Sequence, residues 1–274
     1  MSPMLAGKVV VITGASGGLG AATALALGRR GCHLVLGARR REQLTEVAQQ
    51  VRCLGGQAEV QICDVAQRAQ VRELLALAQE KFSRVDVAIA NAGFGLCAAV
   101  ADITDAQMEE IWRVNFLGTW YVMAEAAALM RPRGAGHIIV ISSAVARRAL
   151  PYMGAYAATK AAQLSLVEAQ RLELTGSGIA VSSVHPVSTR TDFFDVAAQR
   201  SGCRVKAMGI IQSAESVAEK IVRLVERPRP ELWPHRASRW ALGLAALLPA
   251  LTDYAMRRLL RSCHRGKGQH AATH

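Results

Sequence analysis

Short apolar runs alternate along this chain with Ala-rich or amphipathic stretches of helical length, and that alternation constrains the fold more than any other feature. Runs at 9–13 (VVVIT), 33–37, 59–62, 85–90, 137–142 and 180–185 read as strands. Stretches at 18–30, 40–54, 67–81, 105–130, 154–175 and 213–226 read as helices. Repeated βα units of this kind build a parallel sheet through right-handed crossovers, with helices on both faces. The expected fold is α/β: a doubly wound parallel sheet of six or seven strands, whose ligand crevice lies beyond the carboxyl ends of the strands. A composition 51% hydrophobic but only 5% aromatic suits small-residue helix packing against a buried sheet.

The alternation ends after Glu226, where RPRPELWP brings three prolines into a short segment. Residues 1–226 are therefore expected to form one domain, with a substrate lid near 187–212, and residues 227–274 an apolar and basic extension. The net charge of +12 is concentrated in that extension, which holds nine Arg or Lys against Glu231 and Asp253. Its apolar part, Trp240 to Leu251, is shorter than the roughly 20 residues a membrane span needs and contains Pro249. Two readings stay open: the segment packs on the domain or a neighbouring subunit, or it makes peripheral contact with an anionic membrane. The charge is not accompanied by a nucleic-acid motif and sits largely outside the fold, so no nucleic-acid partner is expected. The first ten residues lack the basic and apolar regions of a secretory signal, and the expected location is cytoplasmic, with membrane association as the variant. Six scattered cysteines form no CxxC pair, which gives neither a metal site nor a disulfide framework.

Directly after the first strand the chain reads Thr13-Gly14-Ala15-Ser16-Gly17-Gly18-Leu19-Gly20 and enters an Ala-rich helix. Glycines there allow a tight turn and close approach to a pyrophosphate, whose charge the amides of the helix N-terminus stabilise. A dinucleotide fold chooses its cofactor at the end of the second strand, where a carboxylate would bond the ribose 2′-OH and repel a 2′-phosphate. Here Ala38 is followed by Arg39 and Arg40, so a guanidinium, with Ser16 as helper, favours NADP(H). Farther on, Tyr156 and Lys160 stand four residues apart on one helical face. A tyrosine with a pKa of roughly 10 is a poor base, but a neighbouring ammonium favours its phenolate.

The spacing TGxxxGxG resembles the short-chain dehydrogenase/reductase family. So do Asp64-Val65 after the third strand, Asn91-Ala92-Gly93 after the fourth, Asn115, Ser143, the Tyr156/Lys160 pair and Pro186 after the sixth. The match covers about residues 7 to 226. The resemblance implies a Rossmann-type fold, hydride transfer between NADP(H) and a carbonyl or alcohol, and a homodimer or homotetramer. It makes Tyr156 the acid/base, Ser143 the group that bonds the substrate oxygen, Lys160 the phenol activator and ribose ligand, and Asn115 the holder of a water linking Lys160 to solvent. It places Asp64 and Val65 at the adenine and Asn91, Ala92 and Gly93 along the adenosine ribose. Alternatively Asp64 caps a helix and Asn91-Ala92-Gly93 is a strand-end turn. Family members commonly have Pro-Gly where this chain has Pro186-Val187, so the turn is expected to differ locally; Val187, Thr189 and Thr191 are the candidate contacts to the nicotinamide carboxamide. Phe193, Phe194, Met208, Ile210 and Ile211, alongside Arg204 and Lys206, either line an apolar pocket for a lipophilic substrate or cover the core; Phe94, Leu96 and Tyr152 are candidates for the facing wall. A non-catalytic NADP sensor on the same fold is the rival function.

Overall fold

In the first strand, β1 (Val9–Thr13), every residue is buried, yet successive side chains serve different cores. Val10 and Ile12 join one apolar cluster and Val9 and Val11 the other, as the two-residue period of a strand covered on both faces requires. The computed structural model describes residues 5–201 and 210–265, with side chains through 258. After β1 come α1 (Gly18–Gly28), β2 (His33–Ala38), α2 (Arg41–Cys53), β3 (Gln57–Ile62), α3 (Arg68–Phe82) and β4 (Val87–Ala90). The second half follows with α4 (Asp105–Ile111), α5 (Gly118–Met130), β5 (Gly136–Ile141), α6 (Gly154–Glu173) and β6 (Ile179–Val184). Then come β7 (Thr189–Arg190), α7 (Phe193–Ser201), β8 (Gln212–Ser213), α8 (Ala214–Glu226), β9 (Glu231–Leu232), α9 (Arg236–Leu247) and α10 (Pro249–Arg265).

The central sheet has seven strands in the order β3-β2-β1-β4-β5-β6-β9, all parallel. One face is covered by α1, α2 and α8, which contribute Leu27, Val51 and Ile221. The other is covered by α3, α5 and α6 through Leu74, Met123 and Val167. Local chemistry sets several boundaries. Thr104 accepts from Gln107 N at 3.3 Å while Gln107 Oε1 accepts from Thr104 N at 3.1 Å, a reciprocal cap that starts α4. Ser213 accepts from Ser216 N at 3.1 Å and starts α8, whose Val217, Ile221, Leu224 and Val225 form one buried stripe.

Three features depart from the sequence reading. The helix expected over 105–130 is interrupted by a π-helical stretch, Trp112–Leu117. Its wider turn leaves the Asn115 carbonyl to two side-chain donors, Gln163 Nε2 at 2.5 Å and Thr119 Oγ1 at 2.7 Å. The proline segment after 226 does not end the sheet. Glu231 and Leu232 pair with Ser183 and Val184, while Pro230 and Pro234 lie just outside the pairing, where their missing N–H groups cost nothing. The sheet therefore reaches past the expected boundary at 226. Within the expected lid, β7 and β8 form a separate two-stranded ladder and α7 lies between them; Arg204, Lys206 and Met208 lie outside the described residues.

Two core histidines give the fold a pH dependence. His137 holds Ser182 Oγ at 2.8 Å and His185 holds Ser183 Oγ at 2.9 Å, and burial pushes each imidazole down to about 4. As pH falls below 6.5 the unfolded chain takes up these protons and the folded chain does not, so stability is lost between pH 6.5 and 4. Each histidine is expected to cost on the order of 2 kcal/mol at pH 5 relative to pH 7. Denaturant midpoints at the two pH values measure this, and coincident midpoints would contradict it.

Candidate active site

At the carboxyl end of β1 the chain turns tightly, with Gly14 at φ 67° and Gly18 at φ 54°, the left-handed region where glycine is favoured. A Cβ on Gly14 would stand 2.8 Å from Ala92 Cα, so the turn lies directly against the end of β4. Asn91 fixes that contact. Its Nδ2 donates to Thr13 O at 2.9 Å and Gly14 O at 3.1 Å, and Thr13 Oγ1 accepts from the N–H groups of Asn91 and Ala92 at 3.1 and 3.2 Å. Gly20 faces inward, where a Cβ would strike the Gly14 carbonyl, and it does not line the cleft. Gly14, Ser16, Gly17, Gly18 and Leu19 do.

This cleft is a cavity of about 790 Å³. At one end Ala38 is buried while Arg39 and Arg40 are exposed. Arg40 Nε donates to Ser16 Oγ at 3.3 Å and its Nη2 to Ser16 O at 3.4 Å, clamping the glycine turn to the end of β2. Asp64 lines the same region, but it is not a helix cap: its Oδ1 accepts from Ala66 N at 3.0 Å, and α3 begins after Gln67 without a side-chain cap. Val65 is buried against Gly118, and Ala92 and Gly93 complete this wall.

At the other end α6 presents Tyr156 and Lys160 to the cavity, both buried. Lys160 Nζ donates to Ile141 O at 2.9 Å and lies 5.6 Å from the centre of the Tyr156 ring. Burial pushes the phenol above its usual range, opposed by a hydrogen bond with the Ser143 side chain, and burial pushes the Lys160 ammonium down to about 7. Burial is the larger influence on the phenol in the cleft. The two serines after β5 divide their work. Ser142 Oγ donates to Lys160 O at 3.0 Å and pins α6 to the strand, whereas Ser143 faces Tyr156.

Asn115 is fully buried and does not line the cavity. Its Oδ1 accepts from Phe94 N at 3.0 Å and its Nδ2 donates to Phe94 O at 2.9 Å and Thr159 Oγ1 at 3.2 Å, so it braces the strand-end loop to α6. After β6, Pro186 O accepts from Ala144 N at 2.9 Å, which aligns this loop with Ser143. Val187 lines the cavity in an unstrained conformation, because Ser83 and Tyr152 are the only non-glycine residues at positive φ among the described residues. Thr189 and Thr191 line it too, and Thr191 packs over Gly18.

Phe193 stands over the reactive end, its ring 5.2 Å from that of Tyr156, with Phe94 nearby beneath Arg200 at 4.1 Å. Tyr152 does not contribute: at φ 66° it is 44% exposed and outside the cavity, and its carbonyl accepts from Ala98 N at 2.9 Å. One wall of the cavity is not among the residues expected from sequence. His235 and, from α9, Ala237, Ser238, Ala241 and Leu242 line the cavity, and the only sequence signal for this wall is the small residues at 237, 238 and 241. Nor is a brace behind Ser143 among them. His185 Nδ1 lies 3.3 Å from Ser143 O and its ring stacks on Trp233 at 4.4 Å, while Trp233 Nε1 donates to Glu231 at 2.8 Å. Among the described residues no group of His, Cys, Asp or Glu is placed to hold a metal.

The short chain dehydrogenase family model matches residues 8–201. Glycine betaine reductase ATRR of Emericella nidulans is 34% identical over 229 residues, 82% of this chain but 18% of that much longer protein. A short chain dehydrogenase/reductase from Burkholderia phymatum, solved in complex with NAD, superposes with a TM-score of 0.83 at 25% identity, covering 91% of this chain and 96% of that one. The alcohol dehydrogenase of the archaeon Thermococcus sibiricus, complexed with 5-hydroxy-NADP, superposes at 0.73 with 30% identity, covering 82% and 95%. With its parallel sheet, its glycine turn and most of its length inside the matched region, the chain belongs to the short-chain dehydrogenase family.

Proposed function

We propose that this protein is an NADP(H)-dependent oxidoreductase acting on a carbonyl or alcohol, with Tyr156 as the acid/base. The observation that carries this reading is that Tyr156, Ser143 and Lys160 converge at one end of a cavity whose other end is the glycine turn. The cavity fits a dinucleotide: glycines at 14, 17 and 18 present bare backbone to it, and Arg39 and Arg40 stand where an extra phosphate would lie. When bound, the nicotinamide cofactor supplies or accepts the hydride.

The residues of the chain then have separable tasks. Tyr156 Oη gives a proton to the substrate oxygen during reduction, a role that suits a phenol held above its usual range because it stays protonated at neutral pH. Ser143 Oγ donates a hydrogen bond to the same oxygen as charge develops there. Lys160, held near 7 by burial, exchanges a proton at physiological pH and so can restore that of Tyr156. Asp64, Val65, Asn91, Ala92 and Gly93 border the adenosine half, and Pro186, Val187, Thr189 and Thr191 the nicotinamide half. Phe94, Phe193 and Phe194 give the substrate end an apolar wall, which favours a lipophilic carbonyl. Self-association through α5 and α6 belongs to the same reading, supported by Trp120 and Leu172 exposed on these helices.

Two measurements test it. Tyr156→Phe is expected to retain NADPH binding by fluorescence titration while turnover of aldehydes and ketones falls by roughly 10²-fold or more; ordinary turnover would refute the mechanism. Arg39→Asp is expected to weaken NADPH about 10- to 100-fold with little effect on NADH, the loss of a charge-assisted phosphate contact, and Arg40→Ala to lower the NADPH preference while also loosening the glycine turn that it clamps. Unchanged selectivity in both variants would remove the NADP assignment.

A further inference from the structure

Helix α9 is apolar on two opposite sides. One side carries Ser238, Ala241 and Leu242 to the wall of the cavity. The other carries Trp240, Leu244 and Leu247, at steps of four and three residues, and Leu251 is exposed on α10, beyond the break at Leu248. These outward residues are 77%, 59%, 79% and 63% exposed, a concentration of large apolar side chains unmatched among the described residues. The flanking charge is of one sign. Arg236, Arg239, Arg257 and Arg258 are exposed and make no ion pair among the described residues. The two acids of the segment are both turned to the domain, Glu231 pairing with Arg147 at 2.7 Å and Asp253 with Arg148. Two of these arginines stand beside aromatic rings, Arg239 lying 5.9 Å from that of Trp240 and Arg258 5.7 Å from that of Tyr254.

We propose that α9 and α10 seat this protein on an anionic lipid surface, with the α9 row Trp240, Leu244 and Leu247, and Leu251 of α10, immersed at the interface and the arginines at the headgroups. An apolar row gains by leaving water, unpaired arginines gain from lipid phosphates and carboxylates, and indole and phenol rings suit the boundary between the two. Neither helix is long and apolar enough to cross a membrane, so the segment lies on the surface. The charge pattern disfavours a second copy as occupant, because symmetric contact across the row would bring two sets of like charges together. It disfavours nucleic acid as well, which offers the leucines nothing comparable to bury. Since the inner side of α9 is cavity wall, docking brings the cavity within about one helix diameter, roughly 10 Å, of the lipid. Under the oxidoreductase reading above, a carbonyl dissolved in the bilayer is then the accessible substrate class.

The test is flotation of the full chain with vesicles of phosphatidylcholine alone or mixed with phosphatidylserine, a readout independent of turnover. The native protein is expected to float with the mixed vesicles at low salt and to be released by high salt. Arg236→Gln with Arg239→Gln should weaken partition roughly fivefold per arginine, and Leu244→Glu with Leu247→Glu should abolish it at unchanged melting temperature. The arginine pair keeps the test decisive if the leucine pair fails to fold. Absence of the native protein from both kinds of vesicle at low salt would overturn the proposal. So would flotation indifferent to either pair, or sedimentation showing that the leucine pair merely dissociates an oligomer that never floats.

Discussion

Strands β1 and β4 are neighbours in the sheet, but the segments that follow them leave toward opposite faces: α1 joins the layer with α8, and α5 joins the layer with α3. A parallel sheet cannot close over such a divergence, so a crevice opens at the carboxyl ends of the two strands. Everything reactive in this protein depends on how that opening is held. Two small polar side chains hold it: the Asn91 amide spans Thr13 O and Gly14 O, and Thr13 Oγ1 accepts from two amides of the β4 exit while donating to Ile89 O at 3.3 Å. Because the bonds are made by residues at strand ends, the glycine turn inherits the rigidity of the sheet, and its backbone can face the cavity without side chains of its own.

Enclosure then sets the acid–base character at the far end. Tyr156 and Lys160 share one face of α6, and proximity alone would pull the phenol down and hold the ammonium charged. Both are buried, however, Tyr156 beside the Phe193 ring and Lys160 at the end of β5 through the Ile141 carbonyl, and desolvation drives each toward its neutral form. Burial therefore favours the neutral phenol and the neutral amine, and Ser143 contributes the hydrogen bond that partly offsets the burial of Tyr156. The position of Ser143 is determined from behind by Pro186, whose carbonyl aligns Ala144, and by His185 at the Ser143 carbonyl.

Much of this was legible in the residues because it rests on local periodicity and spacing. The buried strands announce themselves as apolar runs, the glycine turn follows one of them directly, and Tyr156 and Lys160 are one helical turn apart. What escaped depends on tertiary context. β9 is a two-residue pairing between prolines, too short to show any period. The π-helical stretch around Asn115 has an ordinary helical sequence and exists because Gln163 and Thr119 claim the Asn115 carbonyl. Tyr152 lies close to Tyr156 in sequence, yet its positive φ places it outside the cavity. Asp64 at a strand end resembles a helix cap, but an Asx turn to Ala66 satisfies it first.

The extension after 226 is where composition misled most, because an abrupt change in sequence character suggested a separate appendage. Its first residues instead complete the sheet edge, and Trp233, stacked on His185 and bonded to Glu231, ties that edge to the loop carrying Ser143. Glu231 in turn pairs with Arg147, one residue past the short turn at 144–146 that follows Ser143. The proline segment thus fixes the angle at which α9 leaves the sheet, and α9 can serve as cavity wall only because that angle is fixed. A helix so anchored must leave its other side uncovered, and small cavity-facing residues at 237, 238 and 241 bring it close enough for Trp240, Leu244 and Leu247 to stand clear of the domain. The same geometric constraint that closes the reaction chamber therefore creates the exposed apolar row.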